Sequence, residues 1–335
     1  MRLANDYQGL MRLIENNTKN MQETFARDKY SSQTSGLARK GTKTWIYHSK
    51  TLWLFTASDL KTIIVPTSTF GILTAFHAPI FGIDTTPTAA VFRVVLITTS
   101  WTWINLLPFA IDNQRQVDAI EEDRLNKPWR PLPSNRMTAQ RARMVMFMLY
   151  PVAVLWSVRF GGWKQCLSLI ALGYWYNDRN GARGCVTRNL INACGFVCYT
   201  SGAMELAMGT PLPNRVLLGK WFLIIGGVVF STVQIQDLYD QAGDRVCGRR
   251  TLPLVVGDGW SRWITALPMV LWGLFCPWYW HTHVGVSMAF LAIALLIVVR
   301  MLVRREVADD KVTFKIWNAW MIFLYLLPII QYRAS

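Results

Sequence analysis

The sequence predicts an all-α, polytopic membrane protein with about nine transmembrane helices. Three observations support this fold class. Apolar residues make up 52% of the 335 positions. They gather into runs that approach the roughly 20 residues a helix needs to cross a bilayer. Lys and Arg collect in alternate segments between these runs, which is typical of membrane proteins with a fixed orientation.

The apolar runs place the helices in chain order, after a polar segment that we predict to be a cytosolic N-terminal tail (1–50). The remaining residues, 51–335, form the predicted transmembrane domain. The first helix carries two charged residues, Asp59 and Lys61, and the fourth has little apolar length to spare. The predicted helices cover residues 52–78, 88–111, 139–160, 162–177, 186–207, 215–237, 261–280, 285–303 and 314–332.

The distribution of charge argues against a nucleic-acid partner, although the formal net charge is +15. Basic residues concentrate in the tail and in the segments around 115–136, 179–188, 245–250 and 304–311. The loops near 79–87 and 281–284 contain no Lys or Arg. A nine-helix count places all the basic segments in the cytosol. We therefore expect an integral membrane protein, embedded in the lipid bilayer with its N-terminus in the cytosol. We expect this membrane to be that of the endoplasmic reticulum. The sequence does not indicate an oligomeric state.

The segment 237–253 contains the most informative pattern in the chain. Asp237, Asp240 and Asp244 follow an apolar run at spacings that put all three on one helix face. Carboxylates that close repel one another unless a cation lies between them. Mg²⁺ suits sites where carboxylates share an ion with substrate phosphates, and Arg249 supplies a planar donor group for such oxygens.

A second acidic segment, residues 112–134, lies four helices earlier. Gln114, Asp118 and Glu122 recur every fourth residue, and Lys127 and Arg130 follow them. Two acidic stripes indicate an internal repeat, and repeated membrane folds often place their sites where the repeats face each other. We therefore expect the stripes to face each other across a central cavity and to hold a diphosphate with Mg²⁺. An ordinary solvated helix end is the alternative for either stripe alone.

Several short motifs resemble the UbiA superfamily of intramembrane prenyltransferases, from about residue 50 onward. They are Asn126-Lys-Pro-Trp-Arg-Pro, Asp237-x-x-Asp-x-x-x-Asp followed by Gly248-Arg-Arg-Thr-Leu-Pro, and Arg188-Asn-Leu-Ile-Asn-Ala-Cys-Gly. The first acidic motif departs from the usual Asn-Asp-x-x-Asp-x-x-x-Asp. Counting back from Asn126 selects Arg115, Ala119 and Asp123. A shift of one residue selects Gln114, Asp118 and Glu122, the register we favour, with Asn113 and Asp123 as neighbours.

This altered motif resembles the fungal members of the superfamily that act as terpene cyclases. The resemblance implies that Mg²⁺ assists ionisation of an allylic isoprenyl diphosphate, farnesyl or geranylgeranyl, and that the chain's own double bonds capture the cation. We assign Asp240 and Asp244 as catalytic. The expected Mg²⁺ ligands are Asp118, Glu122, Asp237, Asp240 and Asp244. The expected diphosphate contacts are Asn113, Gln114, Lys127, Arg130, Arg188 and Arg249.

Aromatic side chains are expected to line the rest of the cavity, because their faces stabilise carbocations. The candidates are Trp101, Trp103, Tyr174, Trp175, Tyr176, Phe196 and Tyr199. Trp103 is the individual residue we assign to catalysis. An interfacial belt is the competing explanation for any one of these residues.

Three functions remain open at this point. The first is a Mg²⁺-dependent cyclase that releases diphosphate and needs no second substrate. The second is a prenyltransferase that moves the chain to an aromatic or quinone-type acceptor, which the intact second motif also suits. The third is a transporter or lipid-binding protein that uses the acidic stripes for cation coupling.

Overall fold

The computed structural model describes residues 45–84 and 87–334. Most of the predicted tail therefore lies outside the described residues. No β-strand forms in the described part of the chain, which confirms the all-α prediction. The helices are α1 (Trp45–Thr56), α2 (Val65–Phe76), α3 (Val91–Arg115), α4 (Val117–Asn126), α5 (Ala139–Phe160), α6 (Trp163–Asn177), α7 (Cys185–Met208), α8 (Val216–Thr232), α9 (Asp237–Val246), α10 (Leu252–Val256), α11 (Asp258–Tyr279), α12 (Val284–Val303) and α13 (Val307–Ala334).

Every apolar run predicted as a helix is largely helical in the structure, and the bounds of α5 match the prediction. Five helical segments within the described residues are long and apolar enough to cross a membrane. They are Val91–Arg115, Ala139–Phe160, Val216–Val246, Val284–Val303 and Val307–Gln331. The all-helical membrane architecture is thus confirmed, while the count of nine spans stays a prediction.

Two of the predicted helices are interrupted. The first changes to a 3₁₀ turn at Ala57–Asp59 and a π-turn at Leu60–Ile64 before α2 begins. The sixth changes to a 3₁₀ turn at Val233–Gln236 between α8 and α9. Such turns redirect side chains and are frequent at functional sites. Both interruptions contribute residues to the wall of one large cavity.

Helix α7 lies at the centre of the bundle and packs against α2, α3, α6 and α8. Near the C-terminal end of α7, the Trp101 ring from α3 is fully buried against Gly202. The indole nitrogen of Trp101 donates to Ser157 Oγ at 2.8 Å. A β-carbon at Gly202 would overlap the Trp101 ring. Glycine is therefore required here, and the close fit joins α3, α5 and α7.

A buried ion pair fixes the start of α13. Arg262 of α11 donates to both carboxylate oxygens of Asp310, at 2.8 and 2.7 Å, and both side chains are 1% exposed. Such bidentate pairs are geometrically specific. The pair holds the first turns of α13 in place, so that Lys311, Phe314 and Lys315 reach the cavity wall.

Candidate active site

A cavity of about 610 Å³ lies between α3, α4, α6, α7, α9 and α13. Its polar lining comes mainly from helix ends and connections, and its apolar lining comes mainly from the middles of helices. Among the residues that the structure describes, seven basic and four acidic side chains line it. The charged residues are Asp59, Lys61, Glu122, Asp123, Lys127, Arg130, Arg188, Asp240, Arg249, Lys311 and Lys315. The excess of positive charge suits a polyanionic ligand at this end.

The two acidic segments meet at the polar end of the cavity, as the sequence predicted. Helices α4 and α9 pack directly on each other, and Asn126 Nδ2 donates to Asp240 Oδ1 at 3.2 Å. Gly243 permits this approach, because a β-carbon there would lie 2.7 Å from Glu122 Cγ and closer still to the Asn126 amide. A glycine in the middle of α9 is thus a condition for the two segments to share one site.

Arg249 links the two segments a second time. Its Nη1 lies 2.9 Å from Glu122 Oε2 and 3.1 Å from Asp244 Oδ1. Asp244 is fully buried, and its Oδ2 has no hydrogen-bond partner in the described part of the protein. A buried carboxylate oxygen without a partner is costly. Asp244 Oδ2 is therefore a candidate ligand atom for a cation, in addition to the ion pair that Oδ1 forms with Arg249.

Arg188 joins α9 to α6 at this end. From α7 it donates to Asp237 Oδ1 at 2.9 Å and to the Tyr176 hydroxyl at 2.6 Å. Asp237 is 1% exposed, so it lies behind the cavity wall. The pairing leaves Arg188 on the wall, oriented by one acid and one phenol.

The two carboxylates of α4 that line the cavity are each paired with an arginine. Arg130 Nη1 contacts both oxygens of Asp123, at 2.8 and 3.0 Å. Burial raises the pKa of Asp123 above its ordinary value, although Arg130 opposes the shift. Burial also raises the pKa of Glu122, but Arg249 and the other neighbouring donors together outweigh burial. The pKa of Glu122 therefore lies below its ordinary value. Glu122 therefore remains a carboxylate at neutral pH.

Seven of the predicted site residues line the cavity together, and five do not. The seven are Asn113, Glu122, Lys127, Arg130, Arg188, Asp240 and Arg249. Asp237 and Asp244 lie directly behind the wall, each paired with an arginine that lines it. The structure does not bring Trp103, Gln114 or Asp118 to the cavity.

The stripe of Gln114, Asp118 and Glu122 requires correction. Gln116 has an extended backbone (φ −69°, ψ 148°) that separates α3 from α4, so fourth-residue spacing does not continue across it. Gln114 is buried and donates to the Phe55 carbonyl at 2.8 Å. Asp118 is exposed and borders a smaller depression. Within α4 the cavity-facing residues are Ala119, Glu122, Asp123 and Asn126.

Trp103 also lies elsewhere than predicted. Its indole nitrogen donates to Thr56 Oγ1 at 3.0 Å, so its ring packs towards α1. Helical geometry explains the difference, since Phe109, six residues later on α3, projects from another face and lines the cavity. Aromatic rings are still present in the described lining: Phe109, Trp129, Tyr176, Phe196, Tyr199, Tyr239 and Phe314.

Some lining residues were missed by the sequence prediction of the site. Asp59 and Lys61 project from the interruption in the first helix. Two charges inside an apolar run were an available signal for them. Lys311 and Lys315 reach the cavity from α13, whose start the Arg262–Asp310 pair helps to fix, and no pattern in the sequence indicates that contact.

The donor set fits a hard divalent cation that is shared with a phosphate. Among the described residues, no three His, Cys, Asp or Glu side chains form a group that could hold a metal alone. Mg²⁺ in phosphate sites, however, commonly uses one or two protein carboxylates and completes its shell with substrate oxygens and water. Asp240 on the wall and the unpartnered Asp244 Oδ2 meet that requirement.

The chain belongs to the UbiA prenyltransferase family, whose sequence profile matches residues 64–322. Together with its long apolar helices, this membership makes it an integral, multi-pass membrane protein and an isoprenoid-processing enzyme of the UbiA type.

Similar proteins agree with this assignment. The fumagillin beta-trans-bergamotene synthase of Aspergillus fumigatus is 28% identical over 84% of this chain and 92% of its own length. The somaliensene A/B synthase of Streptomyces somaliensis is 26% identical over 80% and 88%. A solved UbiA homologue from Archaeoglobus fulgidus, bound to GPP and Mg²⁺, aligns with a TM-score of 0.55 over 81% of this chain and 99% of its own, at 13% identity. That likeness supports the fold.

Proposed function

We propose that this protein is a Mg²⁺-dependent intramembrane terpene cyclase that acts on farnesyl or geranylgeranyl diphosphate. One observation carries the proposal. The cavity has a charged, net basic end and an apolar, aromatic body. Both acidic segments of the chain meet at the charged end. The charged end suits a diphosphate, and the body suits the hydrocarbon chain attached to it.

Binding orients the substrate along the cavity. The diphosphate contacts Lys127, Arg130, Arg188 and Arg249, whose donors neutralise its charge and stabilise the charge that develops as it leaves. When bound, Mg²⁺ supplies further neutralisation of the leaving diphosphate, and Asp240 and Asp244 are the residues that would hold it, with Asp237 behind them.

The chemistry begins with heterolytic cleavage of the bond between the first chain carbon and the diphosphate oxygen. The bonding electrons leave with the diphosphate. A double bond farther along the chain then donates its electron pair to the allylic cation, which forms a ring carbon–carbon bond. Loss of a proton, which the released diphosphate accepts, gives a neutral cyclic hydrocarbon. Phe109, Phe196 and Tyr199 surround this path, exclude water and stabilise positive charge by about 0.5–2 kcal/mol each.

Two observations favour cyclisation over transfer. The first acidic segment departs from the usual family motif, and in the structure its Asp123 is neutralised by Arg130. The two relatives described above, moreover, are named as synthases of terpenes. The complete second motif on α9 and the family description favour the alternative, a prenyltransferase that uses an aromatic or quinone-type acceptor. The two reactions share ionisation and differ in what captures the cation.

We further propose that the charged end of the cavity faces the cytosol, with the protein in the endoplasmic reticulum. Lys127, Arg249, Lys311 and Lys315 all lie at that end, and basic residues favour the cytosolic side of a membrane. Labelling of single cysteines introduced at exposed positions of α4, such as Asp118, tests this orientation in sealed microsomes.

The deciding experiment supplies purified protein with Mg²⁺ and one diphosphate at a time, either farnesyl or geranylgeranyl, without an acceptor. We expect a cyclic hydrocarbon and free diphosphate, detected by gas chromatography with mass spectrometry, and product reduced by about 100-fold or more in an Asp240→Asn variant. A prenylated product that forms only when an aromatic acceptor is added would support the transferase. Absence of turnover under both conditions would overturn the enzymatic proposal.

A further inference from the structure

Gly195 lies on the face of α7 that lines the cavity. This face carries Arg188 near the charged end, then Asn192 and Gly195, and finally Tyr199. The four residues follow helical spacing, so they lie along one side of the helix. At 1.5 Å per residue, Gly195 is about 10 Å from Arg188 along the helix axis, and Tyr199 is about one turn beyond it. A chain whose diphosphate is held at Arg188 therefore passes Gly195 before it reaches Tyr199.

The space in front of Gly195 is open. A β-carbon built on this residue has no neighbouring atom within 4 Å, whereas one on Gly202, two turns farther along the same helix, would overlap the Trp101 ring. Gly173 of α6 also lines the cavity, and a β-carbon there would lie 3.3 Å from Phe109. Tight packing therefore explains the glycine at 202 but not the glycine at 195.

We propose that Gly195 determines the length of isoprenyl chain that the cavity accepts. It leaves room for the part of the chain that lies beyond it, among Leu106, Leu169 and Tyr199. A larger side chain at this position fills that passage and excludes long chains while it leaves the charged end unchanged. The inference rests on the proposed function in that it assumes an isoprenyl diphosphate as ligand. It concerns binding, however, and not the fate of the cation.

The experiment compares Gly195→Ala, Gly195→Leu and Gly195→Phe with the unaltered protein. Competition binding uses the unreactive thiodiphosphate analogues of geranyl, farnesyl and geranylgeranyl diphosphate, and turnover is measured with the natural diphosphates. We expect Leu and Phe to reduce affinity for the geranylgeranyl analogue on the order of 10-fold or more relative to the geranyl analogue, because a pocket discriminates single carbon groups by 10–200-fold. Ala should shift the preference in the same direction by a smaller factor.

Gly219→Leu is the matched control. Gly219 is a helical glycine of α8 that also has no atom within 4 Å of a built β-carbon, and it is exposed and does not belong to the described cavity lining. We expect it to leave chain-length preference unchanged. Gly195→Ala keeps the test informative if the larger variants fail to fold, because alanine is accommodated without contact and favours a helix over glycine.

An equal loss of affinity for all three analogues, or an unchanged preference in the Ala and Leu variants, would overturn the inference. The two proposals fail separately. A shifted binding preference in a protein that makes no cyclic product would support the role of Gly195 and count against the cyclase.

Discussion

The two acidic segments meet at one site but present their carboxylates differently. Helix α9 carries Asp237, Asp240 and Asp244, and of these three only Asp240 lines the cavity. Its carboxylate accepts a hydrogen bond from Asn126 and forms no ion pair with the described residues. On α4, Glu122 and Asp123 both line the cavity, and arginines hold both. On the proposed function, we expect α9 to supply the free carboxylate oxygens for a cation and α4 chiefly to position Arg130 and Arg249 for the diphosphate.

The largest expected effect comes from Asp240→Asn. The change removes the charge of the unpaired carboxylate, keeps its shape, and leaves the Arg249 bridge intact. We expect turnover to fall by about 100-fold or more, the typical loss when one electrostatic stabiliser of a transition state is removed. Product formation is measured under saturating Mg²⁺. A thermal midpoint close to that of the unaltered protein serves as the control for folding. Near-normal turnover would contradict the role assigned to α9.

A smaller effect is expected from Gly243→Val, which separates the two segments without removing any charge. The added carbons overlap Asn126 and Glu122, and such overpacking costs roughly 1–3 kcal/mol. We expect turnover to fall by about 10-fold as the site widens. Ala242→Val is the matched control, because Ala242 is exposed on the same helix. Equal effects of the two variants would show that the close approach of α4 and α9 is not needed.

Glu122→Gln tests the positioning role of α4. Arg249 loses one of its two acidic partners and keeps Asp244. We expect KM for the diphosphate to rise by a few-fold, because one charge-assisted hydrogen bond contributes roughly 1.5–3 kcal/mol and Asp244 compensates for part of it. The maximal rate should change less than in Asp240→Asn. Loss as large as that in Asp240→Asn would place a metal ligand on α4 as well.

The smallest effect is expected from Asp118→Asn. Asp118 is exposed, and the extended Gln116 separates its helix from α3. Surface carboxylates of this kind contribute little to stability. We expect turnover to change by less than about twofold, in line with the near-neutral effect of most surface substitutions. A loss of more than about 10-fold would restore the original register of the first motif.

The sequence was sufficient for features that depend on local spacing. The face shared by Asp237, Asp240 and Asp244 follows from helical periodicity, and the bounds of α5 follow from its apolar run. The separation of α3 from α4 was not predictable in the same way, since Gln116 is neither glycine nor proline. We assumed one continuous helix through Gln116, and this assumption wrongly placed Gln114 and Asp118 on the same face as Glu122.

Other parts of the site depend on contacts between distant segments. Lys311 and Lys315 line the cavity from α13, whose start is held in part by the pair that Arg262 forms with Asp310, 48 positions away. Trp103 was chosen for its residue type, but its place on α3 turns it towards Thr56. Helical spacing identifies which residues share a face. It does not identify which face the rest of the bundle covers.

The central claim, that α4 and α9 act on one magnesium-bound diphosphate, is tested most directly by a double-mutant cycle. Affinity for farnesyl thiodiphosphate is measured with and without Mg²⁺ for the unaltered protein, Asp240→Asn, Glu122→Gln and the double variant. Residues of one network usually show coupling of about 0.5–3 kcal/mol. We predict coupling within that range when Mg²⁺ is present and a smaller value without it. Additive effects under both conditions would contradict the claim.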